Sequence, residues 1–382
     1  LTFSRASLAT MYDAAGTLAT ASSGSPRLTY DPVTHSALGL LVEEQRTNLL
    51  TYSGALDNAA ITKSNSSVVA ASATAPDGTL TGFKLREDST ASADHRIYWT
   101  VTTTAVGHVL SVFAKAAERS WMYLRIDRSG GGTPRVWFDL ANGVVGTAET
   151  GTSGAITSVG GGWYRCSLIL DTAAGASVNP LIGITTANGA TAYSGDGSSG
   201  IYVWGAQLEA GAFPTSYIPT GAASATRAAD VVTCTGAAFS SWFNVAEGTF
   251  VVEYQPLAAG VGCDLFMAHS GAPLTNSIGM YYDLSNHDVG WCRLAGVTQA
   301  AAASVVANAA AHKAGFGYAS NDFALCSAGN AIASDTSGSL PSPDRLTVGA
   351  NSIASSSQAM VIKRIRYWRK RLTNAQLQAL TA

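Results

Sequence analysis

Two runs in the first half of the chain set aromatic and ionisable side chains at alternate positions. Trp121, Tyr123, Arg125 and Asp127 alternate with Met122, Leu124 and Ile126. Arg135, Trp137 and Asp139 alternate with Val136, Phe138 and Leu140. Successive side chains of a β-strand point to opposite faces. One face would therefore be apolar, and the other would gather indoles, a phenol, guanidiniums and carboxylates. That combination suits a sugar, whose C–H faces stack on rings while its hydroxyls bond to Arg and Asp. Trp121, Tyr123, Arg125, Asp127, Arg135, Trp137 and Asp139 are thus the candidate carbohydrate-binding residues. The competing reading of the same pattern is a face buried against another domain or subunit. Trp163, Tyr164, Tyr202 and Trp204 read as core aromatics.

Other chemistries find less support. Gly195-Asp196-Gly197-Ser198-Ser199-Gly200 spells a dinucleotide-binding pattern, but that reading requires a helix immediately after it. The next residues are Ile201-Tyr202-Val203-Trp204, a strand-forming run, so a turn is expected. No nucleophile elbow, HExxH pair or phosphate loop occurs. His35, His95, His108, His269, His287 and His312 lack metal-ligand spacing. Asp196, Asp283 and Asp288 are the acidic groups that could touch a structural calcium, but no D-x-D-x-D-G loop supports one. No cofactor or metal is expected. Glycoside hydrolysis needs two opposed carboxylates. Glu118, Asp127, Asp139, Glu253 and Asp264 are available, but no spacing singles out a pair, and no catalytic residue is named. Five cysteines, odd in number and without a C-x-x-C pair, read as buried reduced thiols. Lys363 to Arg371 holds six basic residues. They form either the solvent side of a closing strand or a patch for acidic glycan, phosphate, nucleic acid or a subunit.

The elements that carry these residues are strands. Charged residues make up only 13% of the chain, Gly is frequent at 39 of 382, and the net charge is −2. Long amphipathic helices would need more Glu, Lys, Arg and Leu, and a near-neutral chain has no field to steer it onto nucleic acid. No apolar run reaches 18 residues, so no membrane insertion is expected, and no leader pattern is seen after Leu1. The fold class expected is all-β, with two jelly-roll or β-sandwich domains in tandem behind an extended N-terminal segment. The divisions are 1–52 for attachment or packing on a neighbouring domain or other subunits, being too short for its own core, 53–220 for a carbohydrate-binding-module-like sandwich, 221–230 for a linker and 231–382 for a jelly roll. Pro214 and Pro219 make 213–230 read as a semi-rigid spacer. Strands are expected over 108–115, 163–170, 201–208, 249–254, 278–283, 290–294, 313–318, 323–327, 346–349 and 361–368. A closing helix is expected from the capping-box spacing of Thr373 and Gln376.

Several strings resemble tailed-phage, prophage or gene-transfer-agent virion fibre and spike proteins. They are Gly39-Leu40-Leu41-Val42-Glu43-Glu44-Gln45-Arg46-Thr47-Asn48-Leu49-Leu50, Ala75-Pro76-Asp77-Gly78-Thr79, Ser111-Val112-Phe113-Ala114-Lys115-Ala116 and Gly162-Trp163-Tyr164-Arg165-Cys166-Ser167. Ser194 to Gly197, Trp204-Gly205-Ala206-Gln207-Leu208-Glu209, Ser216-Tyr217-Ile218-Pro219-Thr220 and Thr226-Arg227-Ala228-Ala229-Asp230 continue the likeness. Residues 231–382 resemble a concanavalin-A-like or laminin-G-like domain, through Ala311 to Tyr318, Asn321 to Leu325, Leu346 to Gly349 and Arg371 to Leu377. The resemblance implies a homotrimeric structural protein of the virion surface, assembled in the host cytoplasm and released by lysis. It implies contacts with other virion proteins through the N-terminal segment, and binding to a host surface glycan. It carries over no catalytic residue. A capsule depolymerase and a purely structural virion protein are the alternatives.

Overall fold

The computed structural model describes all residues except 104–105, 130–131, 174–176, 260–261, 272–274, 306–309 and 350–358, and only the backbone of 106, 171–173 and 305. Among the described residues the chain is built from antiparallel strands and two short helices, Ala237–Ser240 and Asn374–Thr381. The all-β expectation holds, as does the tandem of sandwiches. No helix among the described residues is long and apolar enough to cross a membrane.

The first sandwich packs two sheets face to face. One runs in the order Val144–Ala148, Arg135–Asp139, Trp121–Arg128, Ser177–Thr185, His95–Tyr98, Thr62–Ser64. The other runs Thr152–Ser158, Trp163–Ala173, Val106–Ala116, Gly200–Ala210, Gly82–Glu87, Ser66–Ala73. Met122, Leu124, Ile126, Val136 and Phe138 all point inward, fully buried with Leu110, Val112, Cys166, Leu168 and Leu208. Each such side chain contributes about 1.5–3 kcal/mol of burial, so the period-two pattern fixes which face is the core. The expected turn at 129–134 falls partly on residues 130–131, outside the described residues.

The second sandwich has one sheet ordered Thr2–Ser4, Val231–Thr235, Arg345–Val348, Cys263–His269, Ser277–Tyr282, His287–Leu294, Val297–Val305. Its partner sheet runs Ala333–Asp335, Asp322–Ser327, His312–Ala319, Glu247–Pro256, Ala359–Trp368, Ala37–Glu43, Arg27–Tyr30. The closing helix has the expected capping box: Thr373 Oγ1 accepts from Gln376 N, and Gln376 Oε1 accepts from Thr373 N at 3.0 Å. Leu377 buries itself against Val251, Ala324 and Cys326. All five cysteines are free and buried.

Residues 1–52 are shared between the two sandwiches. Thr2–Ser4 extends one sheet of the second sandwich, and Ala37–Glu43 with Arg27–Tyr30 extends the other. The hairpin Ala9–Tyr12 and Leu18–Ala21 lies instead over the outer face of the first sandwich, where Leu18 and Tyr12 meet Phe113, Trp163 and Trp204. Nor is 213–230 a free spacer. Pro214 and Pro219 lack ladder donors, but side-chain amides take up the carbonyls around them. Asn48 Nδ2 donates to the Ile218 carbonyl at 2.9 Å, and Gln207 Nε2 to that of Thr215 at 3.4 Å. Phe213, Thr215, Tyr217 and Ile218 are buried, and Ala225–Arg227 pairs with Arg46–Asn48.

These crossings meet at a buried ionic knot. Arg27 bonds Glu43 at 2.6 Å and also Asp230. Arg5 reaches Asp230 at 3.0 Å, and Arg227 reaches Glu43 at 3.1 Å. Ser216 donates its N–H to Glu43 at 2.7 Å, and Thr215 N donates to Glu209 at 3.0 Å. Burial alone would raise the Glu43 pKa, but the guanidiniums of Arg227 and Arg27 outweigh it and hold the carboxyl at about 2.

Candidate functional site

The seven residues first singled out share one face of the first sandwich, as their alternation predicts, but that face is not open. Tyr123 is fully buried and Trp137 is 3% exposed. Arg125 and Asp139 are also buried, and Trp121, Asp127 and Arg135 are half-buried. Segment 187–190 of the same chain lies against the Trp121 and Trp137 end of the face. Trp137 Nε1 donates to the Ala190 carbonyl at 2.7 Å, and Asn188 Oδ1 accepts from Thr147 N at 2.8 Å. Tyr123 lies flat across Gly183, where a Cβ would come within 2.1 Å of the ring, and donates to Asp94. Burial, and then the Asp94 carboxylate, push its phenol well above the ordinary value.

The charges on this face are spoken for. Arg125 bonds Asp94 at 3.3 Å and Asp127 at 2.9 Å, Arg135 bonds Glu149 at 3.1 Å, and Arg96 also bonds Asp94. Asp139 caps a turn, accepting from Ala141 N and Asn142 Nδ2. The expectation of an exposed stacking platform at Tyr123 and Trp137 is therefore corrected: both rings are buried in a small cluster with Leu181, Tyr98 and Trp121. Alternation reports which residues share a face, not whether a later loop returns to cover it.

The outer face of the opposite sheet carries a second row that the sequence did not flag. Register places Trp163, Lys115, Tyr202 and Lys84 side by side across four strands. Trp163 and Trp204 are buried as expected, and Tyr164 leans on the main core. Tyr202 differs: it is half-buried, and its hydroxyl has no partner among the described residues. Beside it opens a groove of about 640 Å³, bounded by segments 15–17, 32–35, 72–78 and 159–163. Three turns lock together to form its rim. A Cβ on Gly16 or Gly160 would sit 2.6 or 2.9 Å from the Pro32 carbonyl oxygen, and both residues have positive φ. Glycine alone allows this approach without strain. Trp163 Nε1 donates to the Thr74 carbonyl at 2.9 Å, tying the third wall to the sheet.

Among the described residues no aspartate or glutamate lines the groove, while Lys115 and His35 do. Lys115 Nζ donates to the Gly161 carbonyl at 2.7 Å and forms no ion pair among the described residues. The surface offers one aromatic face, one cation, backbone carbonyls and small hydroxyls. It can bind a polar ligand, but it presents no carboxylate pair or activated nucleophile. The signal for this site lies in Gly16, Gly160, Gly161 and Gly162, which read as loop residues until the walls they join are known.

The remaining candidates have local roles. Gly195–Gly200 is a turn before a strand, with Asp196 Oδ1 accepting from Ser198 N and Ser199 N. The Ser199 hydroxyl, which donates to Asp196 Oδ2 at 2.5 Å, and then these backbone bonds hold the Asp196 carboxyl well below its usual range. Asp283 accepts from Ser285 N and His287 N, and Asp288 from Tyr254 and from His312 at 3.0 Å. Among the described residues no group of three or more His, Cys, Asp or Glu side chains could hold a metal ion. Glu118 pairs with Lys84 and Glu253 with Lys363. In the basic run, Arg364 and Arg366 face solvent while Ile365 and Tyr367 lean on the core, which is the closing-strand arrangement.

No family model matches the chain, and neither does any curated protein. Solved structures to which it is similar include the CBM40 of the Ruminococcus gnavus IT-sialidase bound to α2,3-sialyllactose. That likeness has 15% identity and a TM-score of 0.32, covering 36% of this chain and 84% of that one. Domains LG4-5 of the mouse laminin α1 chain are 11% identical with a TM-score of 0.27, covering 74% and 88%. The Trypanosoma rangeli sialidase in complex with the inhibitor DANA is 11% identical with a TM-score of 0.30, covering 78% and 60%. Overlap this faint says nothing about a ligand.

Proposed function

We propose that this chain is a non-enzymatic surface component of a virion, a fibre or spike, that binds a host cell-surface polysaccharide for adsorption. The observation that carries the binding half is the groove beside Tyr202 and Lys115: sizeable, walled by interlocked turns and presenting an unpartnered aromatic hydroxyl. The virion half rests on the strings that resemble fibre and spike proteins. A shallow groove binds weakly alone, and repetition on a trimer and on many copies per particle raises the effective concentration enough for adsorption. Most of residues 1–52 is committed to the two sandwiches, so contacts with other virion proteins fall to its exposed apolar residues outside the groove, Leu1, Leu8 and Leu28.

The test is retention on immobilised host surface polysaccharide, run beside light scattering for mass. Retention of an oligomer that Tyr202→Ala abolishes supports the reading. A folded oligomer that binds no polysaccharide sinks it in favour of a purely structural role. Falling polysaccharide viscosity on incubation would instead favour a depolymerase.

A further inference from the structure

We infer that the groove selects a saccharide bearing a carboxylate, such as a uronic or nonulosonic acid residue, and that Lys115 is the group that selects it. This rests on the polysaccharide-binding role proposed for the same groove.

Several cations of this sandwich and of the ionic knot are matched with carboxylates, while Arg86 and Arg165 bond to the Ser67 and Ser111 hydroxyls. Arg5, Arg27, Arg119, Arg125, Arg135 and Arg227 all have a carboxylate partner, and so does Lys84, two places along the same row. Lys115 has none among the described residues. Its strand holds it between Trp163 and Tyr202, with its side chain running beside Gly162. An ammonium has three donors, and the Gly161 carbonyl takes one. Two donors and a full positive charge therefore remain beside a groove whose lining contains no acidic residue among the described residues. A neutral sugar would leave the charge uncompensated, whereas a carboxylate meets it with a charge-assisted bond.

The neighbours favour a saccharide over a bare anion. Tyr202 supplies a half-buried ring and a hydroxyl with no partner among the described residues, and the walls supply Thr17, Ser72 and Thr74 with backbone carbonyls. A phosphate dianion would call for several converging donors or an arginine fork. Among the described residues Lys115 is the only lysine or arginine in the lining.

The experiment is an array of acidic oligosaccharides (oligogalacturonate, oligoalginate, hyaluronan and polysialic acid fragments), each printed beside its carboxyl-reduced counterpart. It is probed with the wild-type chain, Lys115→Met and Tyr202→Ala, with thermal melts confirming that each variant folds. The expected result is binding to at least one acidic member, about tenfold weaker for its reduced counterpart. Lys115→Met should bring the acidic member down to the reduced level and leave the reduced one unchanged. Tyr202→Ala should weaken both. If the reduced and acidic forms bind equally, or if Lys115→Met changes nothing, the carboxylate inference falls while saccharide binding stands. If no member binds, acidic or reduced, both fall together.

Discussion

The two sheets of the first sandwich carry comparable rows on their outer faces, and the chain treats them oppositely. On one, Trp137 and Tyr123 sit beside Arg125 and Arg135; both rings are buried, segment 187–190 accepts from the Trp137 indole, and both cations have a carboxylate. On the other, Trp163, Lys115 and Tyr202 stand in register; the chain builds a rim around them and leaves Lys115 without a counter-charge among the described residues. The same residue types thus serve as packing where charges are matched and covered, and as a site where one charge is left over. The leftover charge, rather than the aromatic pattern, distinguishes them.

The rim of the open row depends on the ionic knot, because the hairpin and the Pro32 turn flank Arg27 in the chain. Arg27→Met should leave Glu43 and Asp230 buried with less compensation, at a cost of about 3–5 kcal/mol, seen as an earlier midpoint in urea. The same knot sets an acid limit. The folded Glu43 pKa, about 2, lies below the ordinary 4.5, so its contribution is complete above about pH 4.5 and lost as pH falls through 2. Titrating stability from pH 5 to 2 should show that loss in the wild type, and a shallower slope in Arg27→Met.

The covered row should break differently. Trp137→Ala removes a buried indole and should cost about 3–5 kcal/mol while leaving polysaccharide retention unchanged in protein that stays folded. Gly183→Ala inserts a methyl where the Tyr123 ring lies and should cost about 1–3 kcal/mol. Loss of retention in either, at a temperature where the variant is fully folded, would mean that the sealed face reaches the ligand and that the two rows have exchanged roles.

Much of this was legible in the chain itself. Apolar alternation at Met122, Leu124, Ile126, Val136 and Phe138 placed the core, and Thr373 with Gln376 placed the last helix, because both are local rules of geometry. What escaped was non-local. Nothing near Trp137 announces that Ala190, 53 residues on, will accept from its indole. Nothing near Lys115 announces that Gly16, Pro32 and Gly160 will meet beside it. The 213–230 stretch read as a spacer because its prolines lack donors; that Asn48 and Gln207 would satisfy its carbonyls depends on the tertiary fold.

The smallest effect on stability should be the most informative. Tyr202 is half-buried at the edge of the small cluster around Trp163 and Trp204, and its hydroxyl bonds to nothing among the described residues. Tyr202→Ala removes partial ring burial and no hydrogen bond, so its cost should stay at about 1 kcal/mol, a shift of a few degrees in melting temperature for a domain of this size. Retention on polysaccharide should nevertheless collapse, since ring stacking and a free hydroxyl are what the groove offers a sugar. Trp137→Ala reverses both halves: large in stability and silent in binding. If instead Tyr202→Ala binds as well as wild type, the open row is an ordinary surface, and the uncompensated charge at Lys115 marks no ligand.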